Sequence, residues 1–152
     1  MSLRDKITSE LKAAMKARDT RRLATLRLIN AAIKDREIAA RGDEGTNGLS
    51  DADLVAVLTR MVKQRRDSAR AYEEAARLDL AETERAEIEV IESFLPRQLD
   101  EAEMEKAIEA VIAETGASSV RDIGKVMGLL KARHAGQMDF GKAGARVKAR
   151  LA

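Results

Sequence analysis

Proline occurs once in this chain of 152 residues, at Pro96, and on both sides of it apolar residues recur at intervals of three and four. Without proline every backbone N–H is free to bond within a helix, and that spacing lays an apolar stripe along one helical face. Leu3, Ile7, Leu11 and Ala14 form the first stripe, opened by Ser2 with Asp5 three residues later, an acidic form of the capping box. A second begins near Asp19-Thr20, carries Leu23, Leu26, Ile29 and Ile33, and fades near Arg41. Ser50-Asp51-Ala52-Asp53 caps a third, which bears Leu54, Leu58, Met61, Arg65, Ala69 and Tyr72 and is expected to end near Leu78-Asp79. A fourth carries Leu80, Ile88, Ile91 and Leu95 and is expected to stop at Pro96. The polar run Gly42-Asp43-Glu44-Gly45-Thr46-Asn47-Gly48 between the second and third reads as a mobile loop.

Three shorter helices follow. Asp100 with Glu103 caps one bearing Met104, Ile108, Val111 and Ile112, and Gly116 ends it. Ser119 with Asp122 opens the next, with Val120, Ile123, Met127 and Leu130 on one face. After Gly136, Asp139 caps a last helix with Phe140, Val147 and Leu151 inward. The expectation is an all-α protein: a four-helix N-terminal domain over residues 1–96, then a small three-helix C-terminal domain over residues 97–152, joined at Pro96-Arg97-Gln98-Leu99. Aromatic residues at 2% leave little to build a sheet from.

The same composition excludes several classes of function. With no cysteine there is no disulfide framework, thiolate nucleophile or cysteine metal site. One histidine, His134, cannot supply the two Glu-x-x-His motifs of a di-iron bundle. There is no phosphate-cradling glycine loop and no serine nucleophile elbow. No catalytic residue, metal ligand or cofactor is therefore assigned. No apolar run approaches the length of a membrane span, and Met1-Ser2-Leu3-Arg4-Asp5 does not read as a signal peptide. The expected location is the cytoplasm.

Net charge is only +2, but it is unevenly placed. From Gly116 onward eight basic residues face two acidic ones, Asp122 and Asp139. On the last helix Lys142, Arg146 and Arg150 recur every four residues, roughly opposite the inward stripe. Arg121, Lys125, Lys131 and Arg133 add to the positive surface. Gly124 and Gly128 lie beside Arg121 and Lys125, and each costs about 1 kcal/mol in a helix relative to alanine. Two readings of this glycine pair stand: close packing of another helix, or a smooth basic surface that a backbone or nucleic acid approaches. In the first domain Arg65 and Glu84 each fall on an apolar stripe. They are candidates for a structural ion pair or a partly open ligand site, or for positions at the rim of the bundle.

Several segments, in this order, resemble the GatB/YqeY family of small helical proteins. They are Leu26-Arg27 through Ala31-Ala32-Ile33-Lys34, Lys63-Gln64-Arg65-Arg66-Asp67-Ser68, Arg77 with Asp79-Leu80-Ala81, Glu84 and Glu87, Phe94-Leu95-Pro96, and Asp122-Ile123-Gly124-Lys125-Val126-Met127-Gly128. The resemblance implies a larger helical domain followed by a small one. It further implies kinship with the C-terminal region of the B subunit of the glutamine-dependent amidotransferase acting on misacylated tRNA, whose tail domain contacts tRNA. It brings the label of carbon–nitrogen ligase with glutamine as amido donor, but neither the catalytic core nor a cysteine to free ammonia is present here. The turn Ala135-Gly136-Gln137-Met138-Asp139 departs from the family pattern, which carries Lys-Gly-Arg there.

Two functions follow as expectations. One is a tRNA- or structured-RNA-binding accessory module using Arg121, Gly124, Lys125, Gly128, Lys131, Arg133, Lys142, Arg146 and Arg150. With so few aromatics, such a module would hold phosphates and shape rather than stack bases. The other is a helical adaptor whose partner is a protein.

Overall fold

The computed structural model describes residues 2–40 and 48–152. Among them the regular structure is seven α-helices and one 3-10 turn. These are α1 (Leu3–Ala17), α2 (Thr20–Ala40), α3 (Asp51–Glu74), α4 (Leu78–Glu92), α5 (Glu101–Thr115), the turn Val120–Asp122, α6 (Ile123–Arg133) and α7 (Phe140–Leu151). The chain divides into two compact units, Met1–Leu95 and Pro96–Ala152. The loop expected over 42–48 lies almost wholly outside the described residues.

In the first unit the helix starts follow their caps. The Ser2 hydroxyl accepts from the Asp5 N–H at 3.1 Å. Ser50 and Asp53 form a reciprocal capping box on α3. Ile7, Ala14, Leu26, Ile29, Ile33, Leu54, Leu58, Met61, Val62, Ile91 and Phe94 make the core, and α3 with α4 is its main helix pair. Two helix ends differ from expectation. α3 stops at Glu74 rather than near Leu78, because Ala76 takes a left-handed conformation (φ 59°) and the Arg77 N–H closes back on the Tyr72 carbonyl. α4 stops at Glu92, four residues before Pro96. Its last turn tightens into i→i+3 bonds, Phe94 N–H to Ile91 and Leu95 N–H to Glu92.

In the second unit Asp100 and Glu103 cap α5 reciprocally, at 2.8 and 3.1 Å. Arg97 clamps the Glu103 carboxylate with two bonds of 2.9 and 2.6 Å. Gly116, at φ 67°, ends the helix in the left-handed region that suits glycine. The core is Met104, Ile108, Val111, Val126, Leu130, Met138, Ala143, Val147 and Leu151. Val120 belongs to the 3-10 turn and is exposed, so Val126 fills the inner position of α6 expected of it.

Candidate nucleic-acid interface

α7 begins where the Asp139 carboxylate accepts the N–H groups of Gly141 and Lys142. Ala143, Val147 and Leu151 are buried, which turns Lys142, Arg146 and Arg150 away from the core centre. They do not reach open solvent alone. Glu101, Glu105 and Glu109 recur every four residues on α5 and meet them in an overlapping ladder. Lys142 and Arg146 both bond Glu101. Arg146 lies 2.9 Å from Glu105, and Arg150 lies 2.8 Å from Glu105 and 3.0 Å from Glu109. The stripe expected to be free of carboxylates is therefore an ion-pair ladder. A charge count begun at Gly116 leaves out α5, where the opposing acids sit. Lys142 first, then Arg146, holds the Glu101 carboxyl below its ordinary range. Glu101 pushes the Arg146 guanidinium up, and Glu109 does so for Arg150. Arg133 is likewise engaged, 2.6 Å from Glu114.

The outward face of α6 is different. Arg121, Lys125 and Lys131 are exposed and form no ion pair among the described residues. Asp122, beside Arg121 and three residues before Lys125, accepts the N–H groups of Ser118 and Ser119 at 3.0 and 3.3 Å; these bonds first, with a smaller effect of the Lys125 charge, keep its carboxyl low. Gly124 and Gly128 are exposed between these cations, and a Cβ built on either meets nothing within 4 Å. Among the described residues no helix packs on the glycines, so packing there does not offset their conformational cost. The face offers three cations and bare backbone, a locally positive surface. His134 closes α6, with its Nδ1 3.0 Å from Oε1 of Gln137.

In the first unit Arg65 is half-buried, and its Nε donates to Glu87 at 2.8 Å rather than to Glu84. One helical turn earlier, Glu84 lies in the field of that pair. Burial, then the Glu87 charge, raises its carboxyl, and Arg65 partly offsets the shift. The cluster ties α3 to α4 beside the Arg66–Glu92 pair at 3.0 Å. The sequence pattern pointed to Arg65 but not to Glu87 as its partner, since the two glutamates lie three residues apart on one face.

Among the described residues no group of three or more His, Cys, Asp or Glu side chains could hold a metal, and no helix is long and apolar enough to cross a membrane.

A family model described as Yqey-like protein matches residues 4–151. Three similar proteins share the name altered inheritance of mitochondria protein 41, mitochondrial. The one from Lachancea thermotolerans is 31% identical over 74% of this chain and 59% of its own length. The one from Clavispora lusitaniae is 41% identical over 64% of this chain and 55% of its own. The one from Saccharomyces cerevisiae is 27% identical over 80% of this chain and 66% of its own. The chain thus spans less than two thirds of the first two relatives' length. Their names designate mitochondrial proteins, which overturns the expectation of a cytoplasmic one.

Proposed function

The chain belongs to the YqeY-like family, and on that premise we propose that it is a tRNA- or structured-RNA-binding accessory module whose contact surface is the outward face of α6. The observation that carries this reading is the combination of exposed Arg121, Lys125 and Lys131, without an ion pair among the described residues, with two exposed glycines at which a Cβ would meet nothing within 4 Å. A phosphate backbone can approach bare helix closely there, with cations on either side. The α7 stripe has a secondary role, because Glu101, Glu105 and Glu109 already hold its charge. The relatives' designation supports a mitochondrial setting for such a module.

The test is a titration of the full chain with bulk tRNA at low and moderate salt, read by gel shift or fluorescence anisotropy. Binding is expected at low salt, weakening as salt rises. The triple variant Arg121→Ala/Lys125→Ala/Lys131→Ala should bind at least about tenfold more weakly and flatten the salt dependence by about two to three phosphate contacts. No binding at low salt, or a triple variant that binds like the parent, removes the proposal.

A further inference from the structure

α2 has two apolar faces and one cover. Leu26, Ile29 and Ile33 are buried in the core of the first unit. On the other side Ala24, Leu28, Ala31, Asp35 and Ile38 recur at intervals of four, three, four and three, and all are exposed, Leu28 by 44% and Ile38 by 61%. That is the spacing of a helix-packing seam. A helix apolar on both faces is ordinarily covered on both. Beside this seam the start of α2 and α4 line a groove of about 680 Å³, with Ala24, Ala86 and Val90 as apolar lining and Arg21 and Arg22 on its α2 side. Glu82 and Glu89 of α4 line it, two helical turns apart. Neither has an ion-pair partner among the described residues, unlike Glu87, which Arg65 holds. On the opposite flank of the seam, Arg27 and Lys34 are exposed and equally unpaired.

We propose that this seam and groove dock an amphipathic helix of a protein partner: apolar residues at heptad spacing, lysine or arginine along the flank meeting Glu82 and Glu89, and carboxylates along the flank meeting Arg27 and Lys34. Opposed flank charges give the docked helix one direction and one rotation. A cation at its centre meets Asp35. An antiparallel two-fold pairing with a second copy of α2 brings Arg27 and Lys34 against their own counterparts, so like charges oppose it. The acids lining the groove outnumber Arg21 and Arg22, which disfavours nucleic acid there. The proposal stands on the first unit and is independent of the α6 reading.

The test uses the full chain and two synthetic 21-residue peptides with the same leucine seam. One carries lysine on one flank and glutamate on the other; the second carries glutamate on both. Anisotropy titrations are expected to show the mixed-flank peptide binding at least tenfold more tightly. Glu82→Lys/Glu89→Lys should reverse that preference. Leu28→Glu/Ile38→Glu should abolish binding while circular dichroism and melting temperature stay unchanged, since both side chains are exposed. Absence of binding, equal binding of both peptides, or binding indifferent to Leu28→Glu/Ile38→Glu overturns the proposal. So does displacement of the peptide by tRNA, or sedimentation showing a dimer that Leu28→Glu dissolves.

Discussion

A guanidinium nitrogen of Arg150 lies 2.8 Å from a carboxylate oxygen of Glu105, 45 residues earlier in the chain. Arg146 reaches the other oxygen of that carboxylate at 2.9 Å. Glu105 is thus shared by two cations, and α5 supplies α7 with built-in counterions. Replacing Glu101, Glu105 and Glu109 by glutamine removes three negative charges at constant side-chain length. Affinity of the full chain for bulk tRNA at low salt is expected to rise several-fold, with the gain vanishing at moderate salt. Anisotropy titrations check this; an unchanged affinity would place α7 away from the RNA.

The capping carboxylates make the second unit acid-sensitive. Arg97, helped by the Asp100 N–H, pulls the Glu103 carboxyl down to about 2, and Lys142 with Arg146 lowers Glu101. A carboxyl held lower in the folded than in the unfolded chain contributes fully above its ordinary range and loses that contribution as pH falls toward the folded value. Thermal melts by circular dichroism should therefore shift down progressively from about pH 5 to pH 2. Glu103→Gln should flatten that slope and lower the melting temperature at neutral pH.

Gly124 and Gly128 set stability against contact. Each has open space where a Cβ would sit, and neither has a positive φ. Alanine at either position is expected to stabilise the chain by up to about 1 kcal/mol. The double variant should melt at higher temperature and bind tRNA more weakly than the parent. A double variant that gains stability and keeps full tRNA affinity would show that close backbone approach is not used.

We propose that residues 1–96 and 97–152 fold as separate domains, each on its own core. Leu58 and Ile108 are fully buried, one in each, and truncating either to alanine costs about 2–5 kcal/mol. In a calorimetric melt Leu58→Ala should move one transition and Ile108→Ala the other. A single transition lowered equally by both would mean that the two units unfold as one.

Helix starts were legible in the sequence because their signals are local. Ser2, Ser50 and Asp100 each bond a backbone N–H three residues on, and both partners stand in the same short stretch. The end of α3 was not legible, since Ala75-Ala76-Arg77 contains no glycine or proline to mark the left-handed turn at Ala76. The α5–α7 ladder was missed for a different reason. Within either helix, charges every four residues read as an ordinary solvated face. The available signal was their match: Glu101, Glu105 and Glu109 share the spacing of Lys142, Arg146 and Arg150 with opposite sign. Likewise the spacing of Val120 fits a core position only in a helix that starts at Ser119, whereas a 3-10 turn occupies those residues first.

The capping bonds that start α5 are supplied between Arg97 and Glu103: the reciprocal bonds of Asp100 and Glu103, and the two-pronged grip of Arg97. The instruction to begin winding therefore travels with the segment. The same segment is also tied to the turn before α7, since the Leu99 N–H donates to the Gln137 carbonyl and the Gln137 side-chain amide donates to the Arg97 carbonyl, so the winding signal and the anchor of the far end of the unit share one short stretch.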